Sequence, residues 1–111
     1  MPVVVGDVAR LLGERLACYI ADVKDARTLR SWERNGHVPL LAGRRLQMAL
    51  AAALTLQERF DDPARIAPWF TWLNDMLDDV SPATSLREAV DDDVEQRGQA
   101  LLNAARRELI D

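Results

Sequence analysis

The sequence predicts an all-helical fold, on three observations. Alanine, leucine and arginine, good helix formers, abound, while β-branched residues thin out after the N-terminus. Apolar residues recur at spacings of three and four, the period of one helical face. Helix start and stop signals, such as Asp25, Asn35-Gly36 and Asp62-Pro63, punctuate these stretches. No strand pattern, internal repeat or low-complexity segment stands out.

The elements follow in order. Asp7 is expected to cap a first helix through Val8, Leu11 and Leu12, ending at Gly13. Glu14 to Ala21 forms a second, with Leu16, Ala17 and Ile20 on one face. Residues 22–24 make a short turn. Asp25 then caps a third helix, which turns Leu29 and Trp32 inward and stops at Asn35-Gly36, two residues that tolerate a left-handed backbone. After a Val38-Pro39 linker, the longest helix runs from about residue 42 to 60. Leu46, Ala49, Leu50, Ala53, Leu54 and Phe60 mark one face, but its middle is apolar all round. That suits a central strut or a subunit contact. Asp62 and Pro63 open a helix carrying Ile66, Trp69, Phe70 and Leu73. Residues 74–82 form a loop, Thr84 or Ser85 opens a short helix through Leu86 and Val90, and Asp91-Asp92-Asp93 leads into a last helix. Val94, Leu101, Leu102, Ala105 and Leu109 stripe that helix.

Length and composition bound the function. A chain of 111 residues with 49% apolar and 29% charged residues suits one compact domain or two small helical subdomains sharing a core. Residues 1–46 hold eight Lys/Arg against five Asp/Glu, a net of +3; residues 47–111 hold six against thirteen, a net of −7. Such a split suggests an anion-facing front and an acidic back, unless it is an accident of surface charge. The single cysteine, Cys18, excludes an intrachain disulfide and fits a reducing cytoplasm as a buried small hydrophobe. No apolar run approaches bilayer length, and residues 1–5 are too short for a signal peptide, so a cytoplasmic location is expected.

Catalytic signatures are missing. There is no Gly-rich phosphate loop, nucleophile elbow or paired-cysteine site, and His37 sits in a loop beside Gly36 without an evident acid or nucleophile. The three successive aspartates diverge by about 100° per residue on a helix, so they do not converge on a metal, and their placement before a helix is explained by its dipole. The expectation is a non-enzyme without cofactor or metal.

Two constellations remain. The second and third helices read as a helix-turn-helix, whose outward residues would be Lys24, Arg27, Thr28, Arg30, Ser31 and Arg34. Arginines there can reach base edges or phosphates, and the hydroxyls can donate to phosphates; the alternative is a solvated face, with Asp25 and Glu33 opposing an anion. Further on, Trp69, Phe70 and Trp72 crowd one segment. Neighbouring helical positions cannot all face one way, so either one ring meets a partner or all three join one core.

The order of these pieces resembles the Xre/MbcA/ParS-type antitoxins of RES–Xre type II toxin–antitoxin systems. The match rests on Arg27-Thr28-Leu29-Arg30-Ser31-Trp32, Gly36 and Pro39, then Arg45-Leu46, then Trp69-Phe70 with Asn74, Leu77 and Asp79. Ser81-Pro82, Leu86-Arg87, Val94 and Ala104-Ala105 complete it. It spans nearly the whole chain, through loose motifs in shared order. The resemblance implies an N-terminal Xre-like helix-turn-helix domain over residues 1–40, and a long helix plus a small helical toxin-binding domain over 41–111. It implies operator-DNA binding with repression of its own operon, a homodimer within a larger complex, and a cognate RES-domain toxin that depletes NAD. The toxin's active-site cleft would be blocked through Trp69, Phe70, Asn74, Leu77, Ser81, Leu86 and Arg87. The other reading is a stand-alone dimeric helix-turn-helix regulator. Two departures stand out: Asp22 occupies a turn position where glycine is usual, and Asp91-Asp92-Asp93 replaces a segment where relatives commonly carry glycine.

Overall fold

A computed structural model describes residues 2–110, with the side chains described from Val4 onward. Seven α-helices and one 3₁₀ turn make up the described residues: α1 (Pro2–Leu12), α2 (Glu14–Ala21), α3 (Ala26–Asn35), α4 (Leu40–Gln57), α5 (Pro63–Trp69), the 3₁₀ turn (Asp75–Leu77), α6 (Pro82–Arg87) and α7 (Val94–Arg107). The all-helical expectation holds.

Local signals fix many of the boundaries. Gly13 separates α1 from α2 with φ 89°, a conformation that a side chain disfavours. Asp25 caps α3 by accepting from the backbone N–H groups of Arg27 and Thr28, and Gly36 closes it at φ 73°. Asp62 caps α5 through Ala64 N, with Pro63 in the first turn. Asp22, just past α2, takes φ 63°, a left-handed backbone that aspartate is short enough to adopt.

Several boundaries correct the sequence-based expectation. The first helix begins at Pro2 and not after Asp7, which lies inside α1 and pairs with Arg10 one turn on. Val5, Val8 and Leu12 line its buried face, and this packing outweighs the modest helix propensity of valine. The long helix spans Leu40–Gln57, which sets Phe60 outside it. The helix expected to carry Phe70 and Leu73 stops at Trp69. Pro68 lacks an N–H to extend the ladder, and the Thr71 hydroxyl donates to the Pro68 carbonyl at 2.8 Å, closing the turn. At the sixth helix the hydroxyl of Ser81 accepts from Thr84 N, so that helix opens at Pro82, ahead of Thr84 and Ser85, and Val90 lies beyond its end, exposed.

One core joins the elements. The α4–α7 contact is the largest, and α4 also meets α1, α2, α5 and α6. Its central position explains its apolar composition: Leu46, Ala49, Ala52, Ala53 and Leu56 are all buried. Gly98 lies where α7 crosses α4, and a Cβ there would collide with the Met48 side chain. The small residue sets the approach of the two axes. Arg45 is also buried; its guanidinium donates to the carbonyls of Ala21 (3.4 Å) and Ala89 (2.6 Å), tying the end of α2 and the segment after α6 to α4. A cation at helix C-termini is favourably placed. One of the basic residues counted in the N-terminal charge therefore serves the interior.

Candidate partner-binding surfaces

The α2–turn–α3 segment presents the first candidate surface. Leu29 is buried and Trp32 half-buried against the core, which turns the opposite side of α3 to solvent. Lys24, Arg27, Arg30 and Arg34 are exposed there, with Thr28 and Ser31 partly so. The structure thus brings the six predicted residues onto one helix and its approach. Thr28, Ser31 and Arg27, with Asp25 and Trp32, line a shallow hollow.

Acids hold two of these cations. Glu14 on α2 accepts from Arg30 Nε at 2.9 Å and Nη2 at 2.8 Å, a bidentate clasp between α2 and α3. This hydrogen bond lowers the Glu14 carboxyl below its ordinary range and raises the Arg30 guanidinium. Arg27 pairs with Asp25 at 3.4 Å, and the same contact, aided by the capped N–H groups, lowers Asp25. Any phosphate approaching Arg30 competes with Glu14. Lys24 and Arg34 carry no such pairing among the described residues.

The second candidate surface is the C-terminal set, which is built differently. Trp69 is 3% exposed and Phe70 fully buried, their rings edge to face at 5.2 Å between centroids. Leu77 and Leu86 are buried as well. Asn74 is partly buried, and its side chain accepts from Met76 N, capping the 3₁₀ turn. Ser81 caps α6. Arg87 donates to the Tyr19 carbonyl at 2.9 Å, pairs with Asp22 at 2.8 Å and stacks 4.5 Å from the Tyr19 ring centroid. The seven residues matched to toxin binding therefore fill the core, cap turns or clasp α6 onto α2.

The outer surface of this region is made by their neighbours. Trp72 is 62% exposed, Leu73 76% and Met76 41%. A helix continuing past Trp69 would have set Leu73 on the same stripe as Ile66, Trp69 and Phe70. Since α5 ends at Trp69, that periodicity lapses. The legible signal was Pro68 with Thr71 three residues on. Behind the loop, Leu12, Leu16, Tyr19, Ala64, Ala67 and Pro68 border an open, mostly apolar groove between α2, α5 and α6, with Arg15 at its edge.

Cys18 is buried, and that burial pushes its thiol up, against any ready nucleophile. Of the three successive aspartates, Asp93 accepts from Val90 N at 2.8 Å and from Arg97 Nε at 2.8 Å, bracing the turn into α7; these bonds lower its carboxyl. Among the described residues no group of three or more His, Cys, Asp or Glu side chains is arranged to hold a metal, and no helix is long and apolar enough to cross a membrane. Comparison with protein-family models, with curated proteins and with solved structures finds no match.

Proposed function

We propose that this chain is the antitoxin of a RES–Xre type toxin–antitoxin pair: it binds a RES-domain toxin and covers the cleft in which that toxin depletes NAD. The ordered likeness of its motifs to that family motivates the reading. The observation that supports it best is the exposure of Trp72, Leu73 and Met76 in an acidic half of the chain, a composition suited to another polypeptide. In this reading α3 contacts operator DNA through Lys24, Arg27, Thr28, Arg30, Ser31 and Arg34, and the chain represses its own operon as a cytoplasmic homodimer within a larger complex. The test is co-expression with the protein encoded by the adjacent gene. Growth should be restored and the two chains should co-purify. Growth arrest in the presence of abundant, folded antitoxin would reject the proposal.

A second reading is a stand-alone dimeric regulator. It draws support from the burial of Trp69, Phe70, Leu77 and Leu86, which lets the C-terminal half be purely a scaffold. Salt-dependent binding to its own promoter with no polypeptide partner in a pull-down would favour it.

A further inference from the structure

We infer that the loop between α5 and α6 is the docking element for a protein whose apolar pocket is rimmed by lysines or arginines. The inference rests on the antitoxin reading and changes which residues carry it: Trp72, Leu73 and Met76 make the contact, and the motif-matched residues hold the loop in place. Three features of the loop support this.

The loop exposes three large apolar side chains within five residues of chain, a costly arrangement on a solvated surface. Its backbone is tied at both ends: Asn74 N donates to the Val80 carbonyl at 3.2 Å, and Ala83 N to the Phe70 carbonyl at 2.9 Å. The loop is thus a built projection, which lowers the ordering cost on binding. The loop's own residues carry charge of one sign, although Arg65 borders Trp72 and Arg97 shares a hollow with Met76 and Asp78. No lysine or arginine lies between Arg65 and Arg87, while Asp75, Asp78 and Asp79 do. Asp75 is held by Arg107 at 2.7 Å, but Asp78 and Asp79 meet no cation among the described residues, and both sit in the left-handed region at φ 59° and 60°.

Charge selects the occupant. A second copy apposing the same loop would bring the free carboxylates of both copies together, which like-charge repulsion opposes. A cationic rim around an apolar pocket satisfies both the rings and the acids. Nucleic acid would be repelled.

The test uses the full-length chain and the protein encoded by the adjacent gene, with binding followed by calorimetry or interferometry. Trp72→Ala with Leu73→Ala should weaken binding by roughly thirtyfold or more while leaving the thermal midpoint unchanged, since both side chains are largely exposed. Asp78→Asn with Asp79→Asn keeps residues that tolerate the left-handed backbone, and should slow association several-fold at low salt and hardly at all at high salt. Should the double alanine variant misfold, the asparagine pair still decides. Wild-type binding that survives both pairs unchanged overturns the loop assignment alone. Failure of the wild-type chain to bind removes the antitoxin reading and this inference with it. Self-association of the wild-type chain that the alanine pair abolishes would assign the loop to a second copy and overturn the inference.

Discussion

The α3 face and the α5–α6 loop were both marked by sequence as contact surfaces, yet their marked residues fare in opposite ways. On α3 and the turn before it, the four marked basic residues are exposed. In the C-terminal set the marked leucines and aromatics are buried, and the exposed apolar residues are ones the motif passed over. The reason lies in desolvation. A guanidinium or ammonium is so costly to bury that its presence nearly fixes its side of the helix; an indole or a leucine is stable in a core and serviceable at an interface. On α3 the charged residues therefore point where their charge predicts; Arg45, buried against two carbonyls, is the exception, because acceptors replace its water. An aromatic motif gives no such direction.

The sharpest way to break this contrast compares Phe70 with Trp72. Phe70→Ala should lower unfolding free energy by about 3–5 kcal/mol, the range for emptying a buried aromatic site. Trp72→Ala should stay within about 0.5 kcal/mol, as surface changes usually do. Equal losses in denaturant melts would mean that Trp72 is as internal as Phe70, and the distinction between scaffold and surface would fail.

Gly98→Ala asks whether the scaffold is as tightly fitted as the α4–α7 crossing implies. A helix interior ordinarily gains from this change by about 1 kcal/mol. Here the new methyl meets Met48, and a net loss of about 1–2 kcal/mol is expected from overpacking. Adding Met48→Ala should reverse part of it. A stabilised single variant would show that α7 can slide on α4.

Ser81→Ala separates the two readings of a motif residue. As the cap of α6, Ser81 should cost about 1 kcal/mol when its hydroxyl is removed. Partner affinity, measured on the folded fraction, should change little. A large affinity loss at unchanged stability would return Ser81 to the contact surface.

The smallest effect concerns pH. Glu14, Asp25, Asp75 and Asp93 all sit below their ordinary values, held by Arg30, Arg27, Arg107 and the Val90 N–H with Arg97 respectively. A depressed carboxyl stabilises the fold above its unfolded pKa of about 4, and that contribution drains away as pH falls through the lower folded value. The thermal midpoint should thus be level from about pH 7 to 5 and decline below about pH 4. Glu14→Gln should flatten part of the decline, and it should also strengthen any α3 binding to DNA by releasing Arg30. A midpoint that rises on acidification would contradict the ion-pair geometry.

Much of the local structure could be read from neighbouring residues. Asp25, Gly36, Asp62 and Pro63 each act within a turn of their own position, so the boundaries they set are the ones observed. Ser81 was passed over because Thr84 and Ser85 compete for the same role, and only the backbone path decides which hydroxyl reaches an open N–H. The candidate surfaces were legible in proportion to charge. Glu14 and Arg30, 16 residues apart in sequence, gave no sign of their pairing; nor did Arg87 and Tyr19, 68 apart.

The amino-acid order alone therefore determined helicity, the caps at Asp25, Gly36 and Asp62 and the charge of the two halves, because these depend on interactions within four residues or on composition. Tertiary packing decided which of Trp69, Phe70, Trp72 and Leu73 face inward, that Arg45 would bind two distant carbonyls, and that Gly98 would lie under Met48. Those outcomes depend on which helices meet, and hydrophobic burial is non-directional until the partner surface is in place.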